Sequence, residues 1–357
     1  MNNHYLFITP EVSWLTNNSA ESSPTILKSQ ISISRNLQDY PFPQKATLEE
    51  LTAIKVAAFN IIPILETGTH LHFDYFELDK LTSNEQQILL EKQLISEKFL
   101  QNNEQRAFII SEDTSIVIMI NEEDHFKINC FANDLDFDTL LERASLIDDI
   151  FETQFNIAFD EKLGYLSANP LNIGTAMKAS IVLHLPILAT NQQLAKIINI
   201  APQIGLNIHK LYENSSTSNL FQISTLLTLG LSERAIVQQL TDTVVKLITH
   251  EKDARLTLLD SAKDEFSDRV WRSFAILKYA QLISSEEVFD LLSELRLGID
   301  LNIIDILSID MLNSILIISQ NAYLKNLQEH EFIPNEELDK SRATVIRQYL
   351  TDSSLIQ

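Results

Sequence analysis

The periodicity of the chain changes once and does not change back. Between about residues 106 and 225, short β-branched or aromatic runs alternate with polar turns: RAFIIS, SIVIMI, HFKINCF, ASIVLHL, LNIHKLY and NLFQIST. Such runs fit strands, and the first three read as an antiparallel meander. Beyond Ser232 the apolar residues recur at helical spacing through 232–265, 268–282, 285–297, 308–328 and 335–350. Strands followed by helices predict an α+β fold: an antiparallel β-sheet flanked by helices, then an all-α C-terminal domain. Within the first part, Thr47 and Glu50 fit a capping box that opens a helix to about Ile62. Leu140, Leu141, Ala144, Ile147, Ile150 and Phe151 mark a second helix over 138–155, and a third is expected at 190–199. The expected organisation is a loose arm over 1–24, an α+β domain over 25–252 and a helical domain over 253–357, with the boundary inside a long helix near 250–256.

Composition narrows the functional classes. A chain of 357 residues with 45% hydrophobic content has ample volume for a core. The longest apolar runs, IVIMI and IVLHLPIL, are strand-length, far short of the ~18 apolar residues of a membrane span. No membrane association is therefore expected. The first ten residues lack a basic segment and a cleavage site, and Cys130 is the only cysteine, which rules out an intramolecular disulfide. A cytoplasmic location follows as the expectation, with Cys130 a buried apolar residue. A net charge of -22 with no run of Lys or Arg argues against a nucleic-acid surface. Only six glycines occur, and none lies within six residues of another. Phosphate-cradling loops need several close together, so the P-loop and dinucleotide fingerprints are excluded. His70 and His72 lack a third ligand nearby, and no metal site is expected.

Two segments carry the chemistry: GYLSANPLNIGTAMKASIVLHLP over 164–186, and NEEDH over 121–125. They resemble the ATP:guanido phosphotransferases, and within them the bacterial protein-arginine kinases. The family pattern of the first segment is approximately G-Y-L-T-x-C-P-T-N-x-G-T-G-L-R-A-S, followed by an apolar strand with H-L-P. Gly164, Tyr165, Leu166, Pro170, Asn172, Gly174, Thr175, Ala179, Ser180, His184, Leu185 and Pro186 match it. Asn169 stands at the position of the reactive cysteine, Ala176 at a glycine and Lys178 at an arginine. Further matches at SRNLQDYPFP, NLFQIS with LTLGLSE, DRVWRS and RLGIDLNII extend the resemblance over roughly 25–347.

The resemblance implies phosphoryl transfer from ATP, with Mg²⁺, to arginine side chains. Glu123 then matches the carboxylate that orients the guanidinium and takes its proton, supported by Glu122. Strand alternation would put the two on opposite faces of a strand end. Taken alone, NEED also reads as a solvated acidic turn. Asn169 can accept a guanidinium hydrogen bond but carries no charge, and charge-assisted bonds are about twice as strong as neutral ones.

On the phosphate side, the family's S-x-R-x-R-x-x-R-N reads K-S-Q-I-S-I-S-R-N, which puts Gln30 and Ser32 where two arginines meet phosphate and leaves Arg35 in place. Lys127, Lys178 and His209 stand at three further phosphate-contacting arginines, and His125 is counted among the nucleotide-binding candidates. Lysine keeps charge but loses the bidentate fork. The closing loop, usually R-G-x-x-G-E and several more residues, becomes His209 through Ser215 leading to Asn219, with no glycine and about two residues fewer. Activity is therefore expected to be strongly attenuated or lost, the second reading being a pseudokinase adaptor. The family's R-D-x-x-R-A phosphoarginine motif becomes Leu338–Asp339–Lys340–Ser341–Arg342–Ala343, so Asp339 and Arg342 are either a weakened pocket or part of an amphipathic surface helix. The resemblance further implies a homodimer, protein substrates with exposed arginine, a zinc-binding activator protein and a Clp-type protease.

Overall fold

A computed structural model describes residues 5–15, 24–101, 104–191, 193–212, 218–328 and 333–353. Among the described residues ten strands occur: β1 (Ile26–Arg35), β2 (Phe73–Glu77), β3 (Ala107–Ser111), β4 (Ile116–Ile120), β5 (Phe126–Ala132), β6 (Phe159–Asp160), β7 (Gly164–Tyr165), β8 (Met177–His184), β9 (Leu206–Lys210) and β10 (Leu220–Thr225). Eight of them form one antiparallel sheet in the order β2-β3-β4-β5-β1-β8-β10-β9, while β6 and β7 make a separate hairpin. Helices α1 (Tyr5–Ile8), α2 (Leu48–Asn60), α3 (Ile62–Thr69), α4 (Ser83–Glu91), α5 (Glu97–Leu100), α6 (Phe137–Gln154), α7 (Pro186–Thr190) and α8 (Gln193–Ile200) belong to the first part. The rest is helical: α9 (Glu233–Tyr279), α10 (Ser285–Asp300), α11 (Ile309–Ile318), α12 (Asn321–Gln328) and α13 (Asn335–Ser353). This is the expected α+β sheet followed by helices. The expected helix from Thr47 is present with its full capping box.

The two faces of the sheet do different things. On one, Ile31, Ile33, Ile109, Ile118, Ile128 and Ile181 pack against α2, α3, α6 and the first half of α9 through residues such as Ile54, Leu65, Ile147, Phe151 and Leu240. On the other, Phe108, Val117, Phe131 and Val182 join a second core built largely from α10, α11 and α13. Where that second core stops, the sheet face turns polar and a cleft opens. Among the described residues no helix is long and apolar enough to cross a membrane.

One expectation needs correction. The arm over 1–24 is not loose where it is described: Leu6, Phe7, Val12, Trp14 and Leu15 are all buried, and residues 1–4 and 16–23 lie outside the described residues. Trp14 Nε1 donates to the Lys92 carbonyl (3.0 Å), and Lys92 Nζ donates to the carbonyls of Leu6 and Thr9 (2.6 Å each). Tyr323 and Asn326 of α12 donate to the carbonyls of Ile8 and Phe7. The arm thus stitches the two parts of the chain together. The long helix α9 runs unbroken through 250–256 and leaves helical geometry at Ala262 (φ -145°, ψ 37°). On α9, buried Arg255 binds Glu251 (2.9 Å), Asp300 of α10 (2.5 Å) and the His184 carbonyl of β8 (2.8 Å), which fixes the helical part to the sheet.

Candidate active site

The NEEDH segment is a tight turn between β4 and β5, not a strand end. Asn121 takes a left-handed φ of 61°, and its side chain donates to the carbonyls of Leu51 and Gln105. The face alternation expected of Glu122 and Glu123 therefore does not apply, yet the turn still separates them. Glu122 is buried, bound to Lys127 Nζ (3.1 Å) and to the Ser96 hydroxyl. Burial alone would raise its carboxyl, but Lys127, Ser96 and Arg106 together hold it below the usual range. Glu123 is half-buried, and among the described residues only its backbone carbonyl accepts a hydrogen bond, from Gln44 (2.7 Å).

Asp124, unnoticed in the sequence, positions the whole rim. Its carboxylate accepts from Asn36 Nδ2 (2.7 Å), the Ser167 hydroxyl (2.9 Å) and the Ala168 amide (2.8 Å). That joins the 121–125 turn to the loop bearing Asn169. The loop's entry is shaped by Gly164 and Gly174, at φ 76° and 115°; a Cβ on Gly164 would lie 2.5 Å from the Gly174 carbonyl oxygen. Asn169 is half-buried and caps the turn Pro170–Asn172, its Oδ1 accepting from the Leu171 amide (3.1 Å). One of the two lone pairs on the acceptor oxygen expected for a guanidinium is already in use.

Part of the sheet floor of the cleft is a neutral polar network. Gln30 Nε2 and Ser32 Oγ both donate to Asn129 Oδ1 (3.0 and 2.8 Å), and Gln222 Nε2 donates to the Ser180 hydroxyl (3.3 Å). Register places Ser32 between Asn129 of β5 and Lys178 of β8. Lys178 is half-buried; burial, and then the charge of Lys127, hold its ammonium below the usual range, while Glu123 acts in the opposite sense. His209 is exposed on β9, at the edge of the sheet. Of these groups, Gln30, Lys127, Asn129, Ser180, His209 and Gln222 border a cleft of about 1010 Å³.

Three expected site residues have other roles. His125 is fully buried: Nδ1 accepts from the Leu37 amide (3.0 Å), and Nε2 donates to the Pro41 carbonyl (2.8 Å). Burial pushes its pKa down, so the ring is neutral and braces the turn instead of meeting a nucleotide. Arg35 is buried as well, paired with Asp148 (2.5 Å) and lying 3.5 Å over the Tyr165 ring. It is a frame residue, not a surviving part of the phosphate cage. Arg342 is 1% exposed and donates to Ser319, Ile283, Asp339 and Asn321. Arg342 is thus a buried clamp joining α13 to α12, to the end of α11 and to the turn between α9 and α10, with the half-buried Asp339 paired to it (2.5 Å). The shortened loop after Tyr212 falls at 213–217, outside the described residues. Cys130 is buried, as expected, and its thiol is pushed up to about 12.

Sheet, turn and glycine-shaped loop together define a class, and comparison with known proteins gives it a name. Residues 60–254 match the family described as ATP:guanido phosphotransferase, C-terminal catalytic domain, and residues 263–355 match the protein-arginine kinase McsB C-terminal domain. Among solved structures, a lombricine kinase aligns with TM-score 0.54 at 21% identity, covering 69% of this chain and 72% of its own. The duplicated taurocyamine kinase of Schistosoma mansoni aligns at 0.59 and 15%, covering 79% and 42%. Those identities show the shared fold alone. The protein-arginine kinase of Halalkalibacterium halodurans is 38% identical over 96% of both chains, and that of Clostridium tetani is 36% identical over 96% of this chain and 99% of its own. This chain belongs to the protein-arginine kinases of the ATP:guanido phosphotransferase family.

Proposed function

We propose that this kinase homologue retains the arginine-recognition half of its site and has lost most of the phosphoryl-transfer half. The observation that carries the reading is the neutral Gln30–Asn129–Ser32 network at the floor of the cleft. Phosphoryl transfer to a guanidinium needs cations around the phosphates, and a carboxylate at the nitrogen that attacks phosphorus. Lys127 is paired with Glu122, and Lys178 carries a depressed ammonium. A donor set of this kind fits the triphosphate of ATP with its Mg²⁺ poorly. Each missing transition-state donor costs ~2.7 to 4 kcal/mol, so transfer should be slower by orders of magnitude.

The guanidinium side is better preserved. Glu123, half-buried and free of side-chain hydrogen bonds among the described residues, remains able to accept a guanidinium N–H and its proton. Asp124 holds the turn that presents it. The substrates in this reading are cytoplasmic proteins with exposed arginine, and the limiting case is a pseudokinase that binds such an arginine as an adaptor. The homodimer, zinc-binding activator and Clp-type protease remain the family's proposed context. The test is acid-labile phosphorylation on arginine, measured by mass spectrometry with Mg²⁺-ATP and an unfolded protein substrate. A trace that disappears in Glu123→Gln supports attenuated kinase activity, and none at all supports the adaptor. Turnover near one per second would defeat both.

A further inference from the structure

The cation lost from positions 30 and 32 has a counterpart two residues earlier. In the S-x-R-x-R-x-x-R-N pattern the first position is serine, and here it is Lys28. Because side chains alternate along a strand, Lys28, Gln30 and Ser32 share one face of β1, and Lys28 and Gln30 both border the cleft. Lys28 is 5% exposed, and no carboxylate pairs with it among the described residues. Its Nζ donates to the Gln93 carbonyl (2.9 Å), 4.4 Å from the Phe131 ring centroid and 5.3 Å from that of Trp14.

We propose that Lys28 is the cationic centre of an anion subsite at the inner end of the cleft, built to take a phosphate group one strand repeat away from the family's arginine pair. A buried ammonium without a counter-ion is costly unless something compensates. Burial pushes Lys28 down to about 7, with no charged side chain contributing to the shift. Two aromatic faces and a carbonyl favour the charged form beside the cleft, and a bound anion would favour it further. Lys92 is the contrast: equally buried, it spends its ammonium on the carbonyls of Leu6 and Thr9 and anchors the arm. Among the described residues Lys28 makes one such bond, which leaves two N–H donors for a ligand. Tyr212 and Phe289, stacked at 4.5 Å and both bordering the cleft, provide an apolar wall beside it.

The phosphate could belong to a nucleotide or to a phosphorylated side chain, and both share the chemistry of the subsite. The test is calorimetric titration of the full chain with inorganic pyrophosphate, then with ADP and with O-phosphoserine. Pyrophosphate should bind the wild-type chain, and Lys28→Gln should weaken it at least tenfold while exposed Lys246→Gln leaves it unchanged. The tighter of ADP and O-phosphoserine then identifies the source. No binding to the wild-type chain, or equal affinity in a folded Lys28→Gln, overturns the proposal. If Lys28→Gln fails to fold, sulfate, which does not titrate at pH 8, gives the answer through two buffers of different ionisation heat. An anion at Lys28 raises its pKa, so binding takes up protons in both the wild-type chain and His209→Gln. Absence of that uptake overturns the proposal as well.

Discussion

Strand β1 and the 164–186 segment border one cleft, and they have diverged in opposite ways. The segment keeps its frame: left-handed Gly164 and Gly174, and the loop tied down by Asp124. The strand keeps its register with β5 and β8 while Gln30 and Ser32 replace charge with an amide network. Backbone-shaping positions are constrained by folding itself, since each is bound to buried polar groups that would otherwise go unsatisfied. Side chains on the open face of a strand carry no such obligation, so their chemistry can change while the fold persists.

If frame and chemistry separate in this way, frame substitutions should act on stability first. Arg35→Ala leaves Asp148 buried and unpaired, and should cost about 3–5 kcal/mol in urea unfolding. A loss under 1 kcal/mol would return Arg35 to the active site. The converse substitution, Gln30→Arg with Ser32→Arg, should leave stability near wild type and raise arginine phosphorylation by ~10²-fold or more. No gain would mean that another deficit, such as the closing loop, dominates.

A pH-dependent effect tests the join between the two parts. Glu91 of α4 accepts from the Ala322 amide of α12 with both oxygens (3.1 Å each), and burial pushes its carboxyl up to about 7 from the ordinary 4.5. The folded chain therefore holds this proton more tightly than the unfolded chain. Stability from Glu91 is present below about pH 4.5 and is lost as pH rises to about 7. Glu91→Gln should accordingly gain up to about 3 kcal/mol on wild type above pH 7, and that gain should vanish near pH 4. A pH-independent difference would contradict the burial argument. The smallest effect is expected at Asn169→Cys, which restores the family's residue and should raise residual phosphorylation only about tenfold.

The sheet and helices were legible because β-branched runs and 3.6-residue spacing survive drift. Thr47 and Glu50 formed the capping box their spacing announced. The arm was misread because its short apolar stretches, Tyr5 to Ile8 and Val12 to Leu15, are interrupted at Thr9, Pro10 and Glu11 and show no period, and their partners are far away in sequence, at Lys92, Tyr323 and Asn326. Arg35, His125 and Arg342 carry side chains that elsewhere bind ligands, and only their own burial and their partners Asp148, Pro41 and Ser319 show that they are frame. Asp124 gave a signal that could have been used, lying inside the very motif quoted for its glutamates. Its partners Asn36, Ser167 and Ala168 come from two distant stretches, and no spacing rule joins them.

The most direct test of the central claim is a Mg²⁺-ATP titration of the wild-type chain beside Gln30→Arg/Ser32→Arg. The account predicts wild-type affinity no tighter than about a millimolar, near -4 kcal/mol, with the double variant at least tenfold tighter. Micromolar binding by the wild-type chain, unchanged in the variant, would contradict it.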